Sequence, residues 1–413
     1  MKFTVSLAEF SKVLNKVLPA IPRKSTLPVL EHLHFTLQDG QLDIVATDQD
    51  IIIKVGITVM GIDNGAVLVP ARRLSEIVKA LDSIGSIDFE NDPYNFDIKI
   101  STSVGTYDMK GLDPDEYLHL PELFDSEKPN LDNLEINPDK NIAVFKPHEI
   151  SRLTNTTAFA VSTDEFRAAM TGVLFQFRGS FINAVATDSF RLVRVKLESE
   201  EVIYPEEFDV IIPARAIDYL KKVDSDVIMS SIDSYGKITH LRFDIQDLVF
   251  ITRIIDERYP PYETVVPQYN DKILKVSRKE FTSSVKRISI FTNQISNQIR
   301  IEVFANELVI SAEDEDSGAK AIERLNCDFN SEEIILGFNY KYLEDALTHL
   351  EPNPDDGDYI YFHIGEAVKP ILLYTSPEEK DVLMLLMPVR VAARQPIVNE
   401  PETSDDYNTE EDA

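Results

Sequence analysis

The tetrapeptide Val-Ala-Thr-Asp is written twice in this chain, at 45–48 and 185–188, each time between two runs of strand-forming residues. It is one of three anchors that recur in a fixed order. The first anchor is a strand running into a helix start: "KFTVSLAEFSKVL" (2–14), "IAVFKPHEISRL" (142–153) and "ILKVSRKEFTSSV" (273–285). The second is the hairpin: "DIVATDQDIIIKV", "NAVATDSFRLVRV" and a degraded "LVISAEDEDSGAKAI" (308–322). The third is another strand entering a helix: "AVLVPARRLSEIVKAL" (66–81), "DVIIPARAIDYLKKV" (209–223) and "EIILGFNYKYLEDAL" (333–347). Copies lie more than a hundred residues apart, far beyond a solenoid period, so the repeating unit is a whole domain.

Each copy supplies two helices and several short alternating strands, such as "KITHLRFDIQDLVFITRII" at 237–255. The expected fold is α+β, three tandem domains of antiparallel sheet with two helices each on one face. The spacing places domains at 1–123, 142–268 and 269–391. A polar link at 124–141 and an acidic tail at 392–413, poor in large apolar groups, complete the chain. Helices are expected at 7–19, 71–81, 146–155, 213–223, 277–288 and 339–349. Ser6 with Glu9 and Ser277 with Glu280 fit capping boxes, and Pro147 fits a first helical position.

A formal net charge of −30 argues against a nucleic-acid partner only if charge is spread evenly. The six expected helices carry fifteen Lys and Arg against seven acids, a surplus of eight, so the rest of the chain holds a deficit of thirty-eight. In the first helix Leu7, Phe10, Leu14, Val17 and Leu18 form one stripe while Lys12 and Lys16 lie on another face. Helices that all face one way would make a basic stripe on an acidic body, the footprint of phosphate binding. For any single helix a solvated face remains the competing reading. The sixth helix is net negative and does not fit the pattern.

The motifs of catalysis are absent. There is no GxGxxG, Walker loop, GxSxG or HExxH, and the seven histidines are scattered. His32 and His34 share a strand face and could hold a metal, although a half-buried strand accounts for them as well. The acids at 312–318 and 353–359 lack calcium-loop spacing and suit hairpin turns. No metal, cofactor or catalytic residue is expected. A hydrolase built on Asp48 or Asp188 has only the repeated phrase in its favour. Cys327 is the single cysteine, so an internal disulfide is impossible. No membrane span is expected, and the N-terminus lacks the apolar run of a signal peptide.

The tandem basic repeats, the "VPAR" and "IPAR" junctions, both "VATD" hairpins, "KSTLPVL" (24–30), "ERYPPYETVVP" (257–267) and "MPVRV" (387–391) together resemble the bacterial sliding clamp, the beta subunit of DNA polymerase III. The resemblance runs over residues 1–391. It implies a non-catalytic, cytoplasmic, nucleoid-associated processivity factor, a head-to-tail homodimeric ring around double-stranded DNA. It implies DNA-facing Arg23, Lys24, Lys12, Lys16, Arg72, Arg73, Lys79, Arg152, Arg215, Lys222 and Lys286, and ring closure through Tyr107 and Met109 against Ile290 and Phe291.

It further implies a pocket that takes peptides from the polymerase III alpha subunit, the clamp loader and other clamp-binding proteins. Its lining would be Met170, Thr187, Phe190, Arg191, Leu192, Pro260, Val265 and Tyr342, with Pro370, Met387, Pro388, Val389 and Arg390. Two departures bear on clients. Ser189 and Phe190 stand where the family often has Gly-His, and 22 residues follow Val391, a tail expected to modulate docking. The alternative reading is a clamp-fold scaffold that binds client peptides without encircling DNA.

Overall fold

The computed structural model describes all residues except 82–84, 119–140, 199–206, 235–236, 354–356, 377–380 and 392–413. The tail and almost all of the expected link fall outside the described residues. Among these there are six α-helices: α1 (Leu7–Val17), α2 (Ala71–Ala80), α3 (Pro147–Ala158), α4 (Ala214–Leu220), α5 (Arg278–Ile288) and α6 (Tyr340–His349).

The helices form where an apolar stripe follows a strand that ends in a cap. In α1 the buried residues Leu7, Phe10, Leu14 and Val17 recur at helical spacing. Pro70 and Pro213 sit at the N-caps of α2 and α4, and Pro147 opens α3. Capping is uneven. Ser277 Oγ accepts the Glu280 N–H at 3.4 Å, and the Glu149 carboxylate accepts the Lys146 N–H at 2.8 Å. Ser6 makes no side-chain cap, contrary to the capping-box expectation. The α1 N-terminus instead follows directly from a strand paired on both sides, and the Leu7 N–H finds the Gly85 carbonyl at 3.2 Å.

The domain repeat contains a smaller one that the sequence reading missed. Each domain is strand–helix–three strands, written twice, with one additional strand, Met60–Asp63, between the halves of the first. In the first domain one half is Lys2–Ser6, α1, His32–Gln38, Gln41–Thr47 and Ile51–Thr58. The other is Gly65–Pro70, α2, Ser86–Asn91, Asp97–Ser101 and Thr106–Lys110. Each half lends its leading strand to the other's triplet: Lys2–Ser6 pairs with Ser86–Asn91, and Gly65–Pro70 pairs with His32–Gln38. The second and third domains repeat this exchange. Neither half can complete its sheet alone, so a domain folds as one unit.

Strand alternation builds the cores. In Ser86–Asn91 the residues Ile87, Phe89 and Asn91 point inward while Ser86, Asp88 and Glu90 face solvent. Phe89 stacks on Phe3 at 4.9 Å and lies 5.7 Å from Phe35, which meets Phe10 edge-on. Truncating any of these buried rings to Ala costs about 3–5 kcal/mol. No described helix is long and apolar enough to cross a membrane.

Burial also fixes a pH dependence. His34, His240 and His363 all have their pKa lowered from 6.5, with desolvation the first cause in each. Below about 6.5 the unfolded chain therefore binds more protons than the folded one, so stability is complete above that value and declines as pH falls below it. Thermal melts between pH 7.5 and 5.5 are expected to show a falling midpoint, with a shallower fall in His34→Gln.

Candidate functional site

The two Val-Ala-Thr-Asp turns are the same structure atom for atom. Thr47 Oγ1 donates to the Ile51 carbonyl at 2.9 Å and accepts the Gln49 N–H; Thr187 Oγ1 donates to the Arg191 carbonyl at 2.7 Å and accepts the Ser189 N–H. Asp48 Oδ1 accepts the N–H groups of Asp50 and Ile51, as Asp188 Oδ1 accepts those of Phe190 and Arg191. Gln49 and Ser189 take the left-handed backbone, at φ of 85° and 80°. Every polar atom of the Thr and one oxygen of the Asp serve the backbone. These groups are turn structure, and the other Asp oxygen is left for use elsewhere.

In the first copy that oxygen pairs across a domain boundary, with Arg215; in the second it holds Arg191 of the same turn, whose Nη1 crosses the boundary to Asp345. After each turn, the third strand of the half pairs with the last strand of the next domain: Ile51–Thr58 with Leu248–Arg253, and Arg191–Glu198 with Val382–Leu386. Flanking bonds match as well. The Arg253 N–H reaches Asp50 O at 2.8 Å, as Met387 N–H reaches Phe190 O at 2.8 Å. Gly56 N–H bonds Asp247 O, as Lys196 N–H bonds Asp381 O. Two continuous sheets thus cross the two joints.

At the first joint Arg215, from α4, ion-pairs with Asp48 and donates to the Pro19 carbonyl at 2.7 Å, while the Tyr219 hydroxyl donates to Lys16 O at 3.1 Å. At the second joint Arg191 Nε meets Asp188 at 3.0 Å and its Nη1 meets Asp345 of α6. The Arg191 guanidinium lies over the rings of Phe159 and Tyr342, 5.1 and 4.9 Å from their centroids. Phe190 stacks on Tyr342 at 5.6 Å and Phe159 on His349 at 4.2 Å.

These contacts string the helices into one band. The helix pairs α1–α2, α3–α4 and α5–α6 pack within domains, and the α1–α4 and α3–α6 ends meet across joints. On this band Lys12, Lys16, Arg73, Lys79, Lys222 and Lys286 are exposed, and Arg152 is half-buried. Two other expected basic contacts are diverted. Arg215 is committed to the joint, and Arg72 donates to the carbonyls of Pro22 and Arg23, pinning the loop that carries exposed Arg23 and Lys24. The acidity of α6 is also explained: Asp345 is the partner of Arg191.

The expected pocket residues surround one apolar cluster on the outer face of the sheet that crosses the second joint. Leu192 is inside it, with Leu174, Val185, Ile211, Tyr262, Leu372 and Leu385, and Met387 packs at its edge. Val265 ends a short 3-10 turn and is half exposed, as is Phe190, and Pro260 precedes that turn. Met170 and Thr187 are buried. The Pro370 carbonyl accepts from Asn270 at 3.0 Å, one residue before Ile371–Tyr374. Pro388 and Val389 are half-buried and Arg390 exposed. Val389 N–H bonds Gly337 O at 2.9 Å, and a Cβ at Gly337 would strike Val389 and Val391. A cleft of about 220 Å³ beside the cluster is lined by Arg194, Tyr262, Val266 and Leu383.

The expected ring-closing residues sit at or beside two open strand edges. Thr106–Lys110 ends its sheet, and residues 319–326 of Ala319–Phe329 pair on one side only among the described strands. Ile290 is 77% exposed and Phe291 36% exposed, in a turn packed against that second edge. Tyr107 is half-buried and Met109 buried in its own domain's core. Among the described residues no group of three or more His, Cys, Asp or Glu is placed to hold a metal ion. His34 stacks on Tyr117 and His32 meets Pro28 O.

Family models of the DNA polymerase III beta subunit match the chain in order: the N-terminal domain over 1–121, the central domain over 145–261 and the C-terminal domain over 263–390. The chain belongs to the DNA polymerase III beta subunit family.

The Beta sliding clamp of Bacillus subtilis is 27% identical over 403 residues, covering 94% of this chain and all of that protein. That of Staphylococcus epidermidis is 28% identical over 400 residues. The Bacillus subtilis DNA polymerase sliding clamp structure superposes with a TM-score of 0.83 at 26% identity, covering 95% of this chain and all of that one. The Bartonella birtlesii sliding clamp bound to griselimycin gives 0.79 at 26%, with the same coverage.

For a beta subunit, sequence reasoning missed Asp345 and Phe159, which fix the second joint, and Gly337, whose carbonyl holds Val389 within the third domain. Only the misfit acidity of the sixth helix hinted at the first of these. Arg191 is 9% exposed and holds two carboxylates and two rings. Arg191→Ala is expected to lower the first urea-unfolding transition by about 2–3 kcal/mol, and Arg191→Lys to recover less than half, since an ammonium keeps the charge but not the planar stack.

Proposed function

We infer that this chain is a sliding clamp, a non-catalytic processivity factor that encircles double-stranded DNA as a head-to-tail homodimer. The observation that carries the reading is the joint rule. Twice along the chain, the strand after a hairpin turn pairs with the last strand of the next domain. Continued once more, the rule pairs residues 319–326 of one copy with Thr106–Lys110 of a second. Three domains per chain and a heterologous contact then close into six. Pairing would extend the core over Tyr107 and Met109 and cover Ile290 and Phe291.

Charge supports the same closure. The third hairpin carries Asp314, Glu315 and Asp316, and α2 begins with Arg72 and Arg73, acid on the turn and base on the helix as at the first joint. Inside the ring, Lys12, Lys16, Arg73, Lys79, Lys222, Lys286 and Arg152, with Arg23 and Lys24 on their pinned loop, meet phosphates without reading bases. On the outside, the cluster at the second joint takes short apolar peptides from polymerase, loader and other clients. Leu192 forms its floor, with Met170 and Thr187 beneath, and Phe190, Val265, Tyr342 and Met387 its walls. Pro260, Pro370, Pro388, Val389 and Arg390 form its margin, and Arg191 is the tie beneath it. Phe190, lying flat on Tyr342, makes one wall aromatic. The griselimycin-bound relative, a clamp holding a ligand, is consistent with a ligand site in this family.

Clamp loaded on nicked circular DNA is expected to stay bound until the circle is cut and then to run off the ends; retention that ignores cutting would defeat the ring. Ile290→Arg with Phe291→Arg is expected to shift sedimentation from dimer to monomer. Independently, Val265→Asp is expected to weaken a fluorescent clamp-binding peptide about tenfold or more, roughly 1.4 kcal/mol, while leaving retention on circles unchanged.

A further inference from the structure

The two joints share a backbone but are filled differently. At the second, the space between the helix ends and the seam strand is occupied by the Phe159 ring, the Arg191 guanidinium and His349. At the first, Ile51 stands at the position of Arg191, and α4 stops at Leu220, about a turn shorter than α6. Among the described residues no aromatic ring fills the space, and Tyr219 forms a wall of it instead. A cavity of about 400 Å³ remains, floored by Ile51, Ile53 and Leu248 and edged by Lys16, Lys222 and Asp224.

The charges on its rim can be resolved one by one. Arg215 is taken by Asp48 and the Pro19 carbonyl, and Asp218 by Lys221 at 2.5 Å. Lys16, Lys222 and Asp224 are exposed and make no ion pair among the described residues. One positive charge is left in surplus over an apolar floor. The wall is rigid: Tyr219 stacks on Phe250 at 4.6 Å, and its hydroxyl, kept protonated by burial, is fixed on Lys16 O. A volume of this size suits a compact ligand rather than a chain segment.

We propose that the cavity at the first joint binds a small amphipathic monoanion, an aromatic or branched apolar body bearing one carboxylate or sulfonate. The apolar body fills the place that Phe159 and Arg191 fill at the other joint, and the acid group pairs with Lys16 and Lys222. The site itself does not depend on the clamp reading. One consequence does: because both lysines belong to the proposed DNA-facing set, an occupied cavity competes with DNA.

The test titrates the full-length chain with 8-anilinonaphthalene-1-sulfonate, followed by fluorescence. Val223→Phe narrows the cavity from a half-buried position, and Lys16→Ala with Lys222→Ala removes the counter-charges. One binding site is expected to weaken about tenfold or more in either variant, while the uncharged N-phenyl-1-naphthylamine responds to Val223→Phe alone. Wild-type affinity in the lysine variant, or in Val223→Phe with a native circular dichroism spectrum, overturns the proposal. The lysine variant, altered only at exposed residues, decides the question even if Val223→Phe does not fold. Duplex DNA is expected to displace the probe. Cavity-dependent binding that persists at saturating DNA overturns the competition and leaves the clamp reading to the circular-DNA experiment.

Discussion

Unpaired strand edges are the constraint on which this molecule is built. Each domain exchanges leading strands between its halves, which completes the sheets of both halves but leaves open edges. An exposed row of backbone donors and acceptors invites pairing with whatever edge is nearest. The chain uses that hazard twice, joining domain to domain through Ile51–Thr58 with Leu248–Arg253 and Arg191–Glu198 with Val382–Leu386. Because each contact is head-to-tail, no joint satisfies itself, and an edge always remains at either end of the chain. A second copy is the economical partner for both.

The joints agree in hydrogen bonding and differ in the sign of their side chains. At the first, the acid is on the turn and the base on the helix, Asp48 with Arg215. At the second, the base is on the turn side and the acid on the helix, Arg191 with Asp345. The charged partners also come from different places on the two helices, Arg215 being the second residue of α4 and Asp345 the sixth of α6. The Thr-Asp pair makes this possible, since one carboxylate oxygen builds the turn and the other is free to vary its partner.

Much of this was legible in the residues. The helices lie within a few residues of where apolar spacing puts them, because α1 and its counterparts each carry one buried stripe. The structural role of the Thr-Asp turn was legible because the phrase recurs without any recurring base or nucleophile. The half-domain repeat was not, since its two copies share a backbone path but no phrase; nothing in "KFTVSL" resembles "AVLVPAR". The roles of Arg215 and Arg191 were not legible either. Their partners Asp48 and Asp345 are distant in sequence, and a basic residue on an amphipathic helix looks the same whether it faces phosphate or a neighbouring domain. Ser6 shows the converse: a good local signal that the chain does not use.

Separating the bases that hold the fold from those that face outward also sharpens the meaning of the charge. Arg278 pairs with Asp358, Arg287 with Glu323, Lys146 with Asp226 and Lys221 with Asp218. With Arg215 and Arg72 also engaged, the freely presented cations are far fewer than the helices contain. Exposed charges act over roughly 8–10 Å at physiological salt, so the acidic body does not cancel a basic band a domain's thickness away. A phosphate groove would favour many fixed, bidentate guanidinium contacts, whereas Lys12, Lys16, Lys79, Lys222 and Lys286, which outnumber the arginines Arg23, Arg73 and Arg152, are flexible and strongly hydrated point charges. Contacts of that kind hold a polyanion without fixing its register. That is what a protein needs if it must stay on DNA by topology and still move along it.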